Sequence, residues 1–267
     1  MNFLFKSFDL ENLYNHYEDK VDSSISSACL EPLTISKLFD LVSGDNSKNL
    51  RDSLLNLGLD YSPKYGHDYL ISALNNKYFN AKNFIACTGA SEAIVLIFTG
   101  LFESGDKIIV QKPIYSSLYK IAESIGLQII DWDFCWAGTK QETITANLDS
   151  LSSLLAEHKD TKAVVLNNPN NPCGYCFQTN ELHSLVDLVK RTNKAFIIAD
   201  EVFKDLAQGV PAIADIYEHG ISIADVSKAY GLQGLRCGWI ATQRQDLLGK
   251  LLNQKNYFSL RSPIIGE

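Results

Sequence analysis

Three short segments of this 267-residue chain carry the residue types that chemistry needs. In DVSKAYGLQGLRCGW (225–239), Lys228 lies just past an apolar run and enters a loop punctuated by Gly231, Gly234 and Gly238. An amine held at the floor of a cavity suits nucleophilic work, because burial and a neighbouring cation favour its neutral form. Arg236, eight residues on, offers the planar fork that matches a phosphate. In AFIIADEVF (195–203), Asp200 and Glu201 close a second apolar run. A carboxylate there is costly without a partner, and metal binding or helix capping are its ordinary alternatives. In NNPNNPCG (167–174), two Asn-Pro steps force an extended, rigid path, since proline fixes its own φ and restricts its predecessor.

Such residues need a scaffold that brings strand ends together. Apolar runs at 107–110, 127–132, 163–166, 195–199, 221–224 and 237–241 predict strands. Helical character is predicted at 45–57 and 67–79, from Gly89 to Leu101, after Pro113, and at 148–158 and 179–191. Short apolar strands alternating with helices imply an α/β protein, a three-layer αβα sandwich around a mostly parallel mixed sheet. Ligands of such sheets sit beyond the carboxyl ends of the strands. The Asn-Pro loop, the Asp200–Glu201 pair and Ser227–Lys228 each follow a predicted strand.

Charge and cysteine usage narrow the class. The net charge is −7 and no run of lysines and arginines occurs, which argues against nucleic acid or an anionic membrane surface as the main partner. No stretch approaches the roughly 20 apolar residues of a membrane span. The apolar start MNFLF gives way to Asp9 and Glu11, too short for a secretory signal. The six cysteines (29, 87, 135, 173, 176 and 237) lack a framework spacing and read as reduced thiols of a cytoplasmic protein. Cys173 and Cys176 form a CxxC pair without a second pair or matching histidines, so no metal is expected.

Taken in order, the three segments resemble class I/II aminotransferases, the fold type I pyridoxal-phosphate enzymes. The family pattern is an Asn-Pro-x-Asn-Pro-x-Gly loop, an Asp-Glu-Val-aromatic strand end, and Ser-Lys followed eight residues later by Arg. TGASEAI (88–94) resembles the family's phosphate-binding helix start and PIYSS (113–117) its ring-stacking segment. The resemblance implies that Lys228 carries pyridoxal 5'-phosphate as a Schiff base and shuttles the substrate α-proton. Asp200 would keep the pyridine nitrogen protonated, Asn171 would donate to the phenolic oxygen, and Tyr115 would stack on the ring. Gly89, Ala90 and Ser91, with Ser227 and Arg236, would cradle the phosphate, and Tyr61 would reach the phosphate of a second subunit in a homodimer. The implied substrates are an amino acid and a 2-oxo acid. The implied domains are an N-terminal arm with part of a small domain (1–45), a large cofactor domain (46–250), and the start of a linker helix (251–267).

Three departures qualify the resemblance. Phe203 stands where a tyrosine that bonds the phenolic oxygen is usual, and Asp225 where a phosphate-binding serine is common. The chain stops at 262–267, where a family member enters its C-terminal subdomain, which ordinarily supplies the arginine for the substrate carboxylate. Arg261 is the arginine nearest that end. Alternative functions are a lyase or cyclising synthase on the same scaffold, or a non-catalytic cofactor-binding remnant. A dinucleotide-binding dehydrogenase is disfavoured, because no G-x-G-x-x-G follows a strand.

Overall fold

In the computed structural model, which describes residues 6–24, 26–42, 45–137 and 143–267, the apolar runs become strands that serve two cores at once. The predicted runs are β2 (Lys107–Lys112), β3 (Gln128–Asp133), β6 (Thr161–Asn167), β7 (Phe196–Asp200), β8 (Gly220–Asp225) and β9 (Cys237–Thr242). A further strand, β1 (Asn83–Thr88), and a small antiparallel pair, β4 (Cys135–Ala137) with β5 (Thr143–Thr145), were not among them. Successive side chains of a strand point to opposite faces. Ile108, Val110, Val165 and Ile198 accordingly enter one core, and Ile109, Val164, Leu166, Ile197 and Ala199 the other. A strand buried on both faces has to be apolar throughout, which is why these runs do not alternate with polar residues.

Helices cover each face. The first core is closed by α5 (Gly89–Leu101), α6 (Ser117–Ser124) and α10 (Asp246–Phe258), through residues such as Ile94, Ile97, Leu118 and Leu251. The second is closed by α7 (Leu148–Glu157), α8 (Thr179–Thr192) and α9 (Ile213–Ile216), through Leu151, Leu182, Val186 and Ile213. α8 begins in a capping box in which Gln178 and Glu181 exchange side-chain and backbone bonds. A third cluster seats α4 (Asp68–Lys77) on β1 and β9, where Trp239 donates to the Tyr78 hydroxyl at 2.9 Å. The N-terminal segment adds α1 (Asp9–Tyr17), α2 (Ile35–Leu41) and α3 (Asp45–Leu55). No described helix is long and apolar enough to cross a membrane.

The main sheet runs β1-β9-β8-β7-β6-β2-β3. From β8 across to β3 every neighbouring pair is parallel, while β9 runs antiparallel to both β8 and β1. This reversal gathers the site. The carboxyl ends of β6, β7 and β8 lie side by side, with Asn167 opposite Asp200. The loop 226–236 leaves β8 and returns into β9, whose first residue, Cys237, pairs with Thr88 at the end of β1. Arg236, at the far end of that loop, is thereby delivered beside the start of α5, and Lys228, on the same loop, lies close enough to Asp200 at the end of β7 for its charge to act there.

Candidate active site

Asp200 ends β7 and is 3% exposed. Its Oδ1 accepts the Val202 N–H at 3.1 Å. Its backbone carbonyl accepts the Asn168 N–H at 2.8 Å and the Asn167 side-chain amide at 2.9 Å. Burial pushes the Asp200 carboxyl up to about 7; the nearby Asp225 charge adds to the rise, and the Val202 bond and Lys228 oppose it. Glu201, next in sequence, faces elsewhere. Its Oε1 accepts the Ile213 N–H at 2.7 Å, and burial raises it to about 7 as well. The Asp-Glu pair is thus two separate devices, one at the site and one behind it.

The Asn-Pro loop keeps its shape through buried asparagines. Asn167 Oδ1 accepts the Asn171 N–H at 2.6 Å, Asn168 Oδ1 the Phe177 N–H at 2.9 Å, and Asn170 Oδ1 the Cys173 N–H at 3.0 Å. The Asn167 and Asn170 side-chain amides also reach outside the loop, to the Asp200 carbonyl at 2.9 Å and the Pro113 carbonyl at 3.2 Å, and Asn171 is half-buried.

Lys228 is half-buried, and its Nζ donates to Cys29 Sγ at 3.1 Å. Leu33 N–H bonds the Gly231 carbonyl at 2.9 Å, so the N-terminal segment lies along the lysine loop. Gly231 takes φ +67°, and a side chain there would press on the Glu31 carbonyl at 2.7 Å. Tyr115 packs on the first core, meets the Phe8 ring at 5.5 Å, and donates its hydroxyl to Glu11 Oε1 at 2.8 Å. Burial first, then the Glu11 bond and charge, raise the Tyr115 hydroxyl, and Asp200 is close enough to add to the rise.

Arg236 lies against Gly89, at the first residue of α5. Its Nη2 donates to the Thr88 carbonyl and its Nη1 to the Gln233 carbonyl, each at 3.3 Å. No carboxylate pairs with it among the described residues. A side chain at Gly89, which holds φ +75°, would collide with the guanidinium. The Ser227 hydroxyl is buried without a partner. A bare guanidinium, an orphaned hydroxyl and a helix start form a cradle for an anion. One expected member is engaged otherwise: the Ala90 N–H is donated to Asp225 Oδ2 at 3.2 Å, and Asp225 Oδ1 takes the Ser227 N–H at 2.9 Å. Ser91 stands in the first turn of α5.

Gly238 lets β9 pass close to this helix start, since a Cβ there would lie 2.8 Å from Gly89 Cα and 3.0 Å from Ala90 N. Both contacts are backbone and cannot swing aside. Gly238→Ala is expected to cost about 1–3 kcal/mol, the usual range for overpacking, read from urea midpoints; an unchanged midpoint contradicts the close packing.

Tyr61 stays outside this cluster, 73% exposed. Phe203 rests against the same core as Tyr115, and the Arg261 Nη1 donates to the neighbouring Leu260 carbonyl at 2.6 Å and to Asn256 Oδ1 of α10 at 3.5 Å. Reading the sequence alone missed Glu11 and Cys29. No local signal marks Glu11: it is partly buried with Phe8 and Tyr14 at the three-residue spacing of one helical face, while the more apolar Leu10 and Leu13 are exposed.

The sequence model of the family described as Aminotransferase class I and II matches residues 52–264. Capreomycidine synthase of Streptomyces vinaceus is 32% identical over 209 residues, 76% of this chain and 52% of its own. Tyrosine aminotransferase of Dictyostelium discoideum is 27% identical, over 82% of this chain and 53% of its own. A pyridoxal-phosphate-dependent aminotransferase structure from Streptococcus suis aligns with a TM-score of 0.87 at 27% identity, covering 98% of this chain and 68% of that one. The chain spans about half the length of the curated relatives it matches.

Proposed function

This chain belongs to the class I and II aminotransferases, and from that premise we propose that it holds pyridoxal 5'-phosphate on Lys228 and transfers an amino group between an amino acid and a 2-oxo acid. The observation that carries the proposal is Asp200, a buried carboxyl raised to about 7 beside Lys228 at the centre of a row of strand ends. Such a group favours a ligand that presents a cationic N–H, which the pyridine nitrogen of the cofactor does. The Arg236, Ser227 and Gly89 cradle fits the phosphate at the cofactor's other end.

When bound, the cofactor supplies an electron sink for bonds at the substrate α-carbon. The chain's own residues do the rest. Lys228 Nζ would be the attachment point, and then the base that takes the proton from the substrate α-carbon and delivers it to the cofactor's C4′ carbon. Asp200 holds a proton on the ring nitrogen, which keeps the sink open. Tyr115 would stack on the heterocycle. The Asn171 side-chain amide donates to the phenolic oxygen, and does so unaided because Phe203 has no hydroxyl. Arg236, the Ser227 hydroxyl and the first turn of α5 at Gly89 and Ser91 bind the phosphate. Asp225 turns its oxygens to the Ala90 and Ser227 amides, so its charge is directed at backbone N–H groups. Ala90 then contributes its place in the helix start more than a free donor.

Borohydride reduction of protein incubated with pyridoxal phosphate is expected to leave a phosphopyridoxyl mass on the Lys228 peptide, absent from Lys228→Ala. Label on another lysine overturns the assignment.

A second reading, a cyclising enzyme on the same scaffold, is favoured by the 32% identity to capreomycidine synthase. Product analysis separates them: a transaminase yields paired amino and oxo acids, a cyclase a ring. The outward Tyr61 suits a contact with the phosphate of a second copy, as a homodimer requires, and loss of that side chain should weaken cofactor retention.

A further inference from the structure

The N-terminal segment brings a carboxylate to the proposed cofactor face. On α1 the partly buried residues are Phe8, Glu11 and Tyr14, while Asp9, Leu10, Asn12 and Leu13 are exposed. Phe8 meets the Tyr115 ring, Glu11 Oε1 accepts a hydrogen bond from the Tyr115 hydroxyl at 2.8 Å, and the Tyr14 hydroxyl donates to the Ser26 carbonyl at 3.0 Å. That last bond ties α1 to the stretch leading to Cys29, which touches Lys228 Nζ. Glu11 and Cys29 thus reach the site from one continuous segment, one at the stacking tyrosine and one at the amine.

Among the described residues no basic side chain lies within ion-pairing reach of Glu11, and the Tyr115 hydroxyl is the one donor to its carboxylate. Its position in the first turn suits the helix dipole, but the exposed Asp9 already serves that purpose. A carboxylate turned inward on the apolar side of a helix, between a phenylalanine and a tyrosine, loses hydration that a neutral phenol does not fully replace. The missing cation can arrive with the substrate.

We propose that Glu11 selects amino-acid substrates whose side chain ends in a cation, a guanidinium or an alkylammonium, by pairing with that cation beside the Tyr115 hydroxyl. A guanidinium suits the position best, because its planar fork can engage both carboxylate oxygens. This assignment rests on the pyridoxal-phosphate function proposed above.

Stable phosphopyridoxyl conjugates of L-arginine, L-norleucine and L-glutamate, titrated calorimetrically into cofactor-free protein, test the pairing without turnover. The arginine conjugate is expected to bind at least about 10-fold tighter than the norleucine conjugate, as a partly desolvated charge pair provides. In Glu11→Gln the preference should shrink to within roughly 3-fold, and Glu11→Lys should favour the glutamate conjugate instead. Equal binding of the arginine and norleucine conjugates by the unaltered protein, or an arginine preference that survives in Glu11→Gln, overturns the pairing and leaves the cofactor function standing. If no conjugate binds, the cofactor function fails and this assignment falls with it.

Discussion

Asp200→Asn is expected to lower turnover by roughly 10²–10³-fold, the size seen when a group that stabilises developing charge is removed. The same variant should still accept the borohydride label on Lys228. An amide at position 200 keeps the volume of the carboxyl but cannot hold a cationic ring nitrogen, so the electron sink is lost while the amine, the phosphate cradle and Tyr115 remain. A variant that turns over at the unaltered rate would remove Asp200 from the chemistry.

A stability measurement checks the same residue without any substrate. In the cofactor-free protein both Asp200 and Glu201 are raised to about 7, against about 3.9 and 4.3 in an unfolded chain. A raised carboxyl binds its proton more tightly in the fold. Its stabilising share is therefore complete below about pH 4 and is lost as the pH climbs towards 7. Asp200→Asn removes one of the two contributions, so the fall in melting temperature between pH 5 and 7 should be shallower than in the unaltered protein, each full pH unit being worth up to about 1.4 kcal/mol. Loading the cofactor should flatten the curve too, because a ring N–H restores the ionised carboxylate. Parallel curves for the two proteins would contradict the buried placement of Asp200.

Much of this architecture is legible in the chain because parallel strands buried on both faces leave an unmistakable trace, a short apolar run ending in polar residues. Leu166–Asn167, Ala199–Asp200 and Ala224–Asp225 are three such endings, and their alignment at one edge follows from the topology rule for open α/β sheets. β1 escaped because Asn83–Thr88 is a four-residue buried run between polar ends, which periodicity alone does not separate from a helical fragment. Its antiparallel pairing with β9 is a long-range fact with no local signature.

The motif residues were legible one by one, but not how they divide the work. Nothing in NNPNNPCG says that the Asn167, Asn168 and Asn170 side chains bond the loop's own backbone while Asn171 lends it only a backbone N–H. Likewise, DVSK does not disclose that Asp225 closes on the Ala90 amide, a contact across 135 positions. Glu11 and Cys29 acquire meaning only once the N-terminal segment crosses the lysine loop, and that crossing is a matter of packing.

Lys255 is the strongest case of a residue whose role its neighbours in sequence conceal, and its loss should be the most damaging to the fold. In α10 it continues the stripe Leu247, Leu251 at four-residue spacing, so its side chain runs inward and is 1% exposed. There Nζ donates to Glu92 Oε2 at 3.2 Å, Ser259 Oγ at 2.9 Å and Ser262 Oγ at 3.0 Å, which uses all three of its protons. Glu92 Oε2 also accepts the Thr88 N–H at 2.5 Å, and the Thr88 carbonyl is the one that Arg236 grips. Lys255→Ala would leave the Glu92 carboxylate buried and uncompensated, a loss of about 3–5 kcal/mol, read from urea unfolding. Pairing the change with Glu92→Gln as Lys255→Met/Glu92→Gln should recover most of it, because the cost lies in the orphaned charge rather than in the missing attraction. Since the chain of contacts ends on Arg236, Lys255→Ala should also weaken pyridoxal-phosphate retention under conditions where the protein remains folded. A double variant as unstable as Lys255→Ala alone would show that the cost does not lie in the orphaned Glu92 charge.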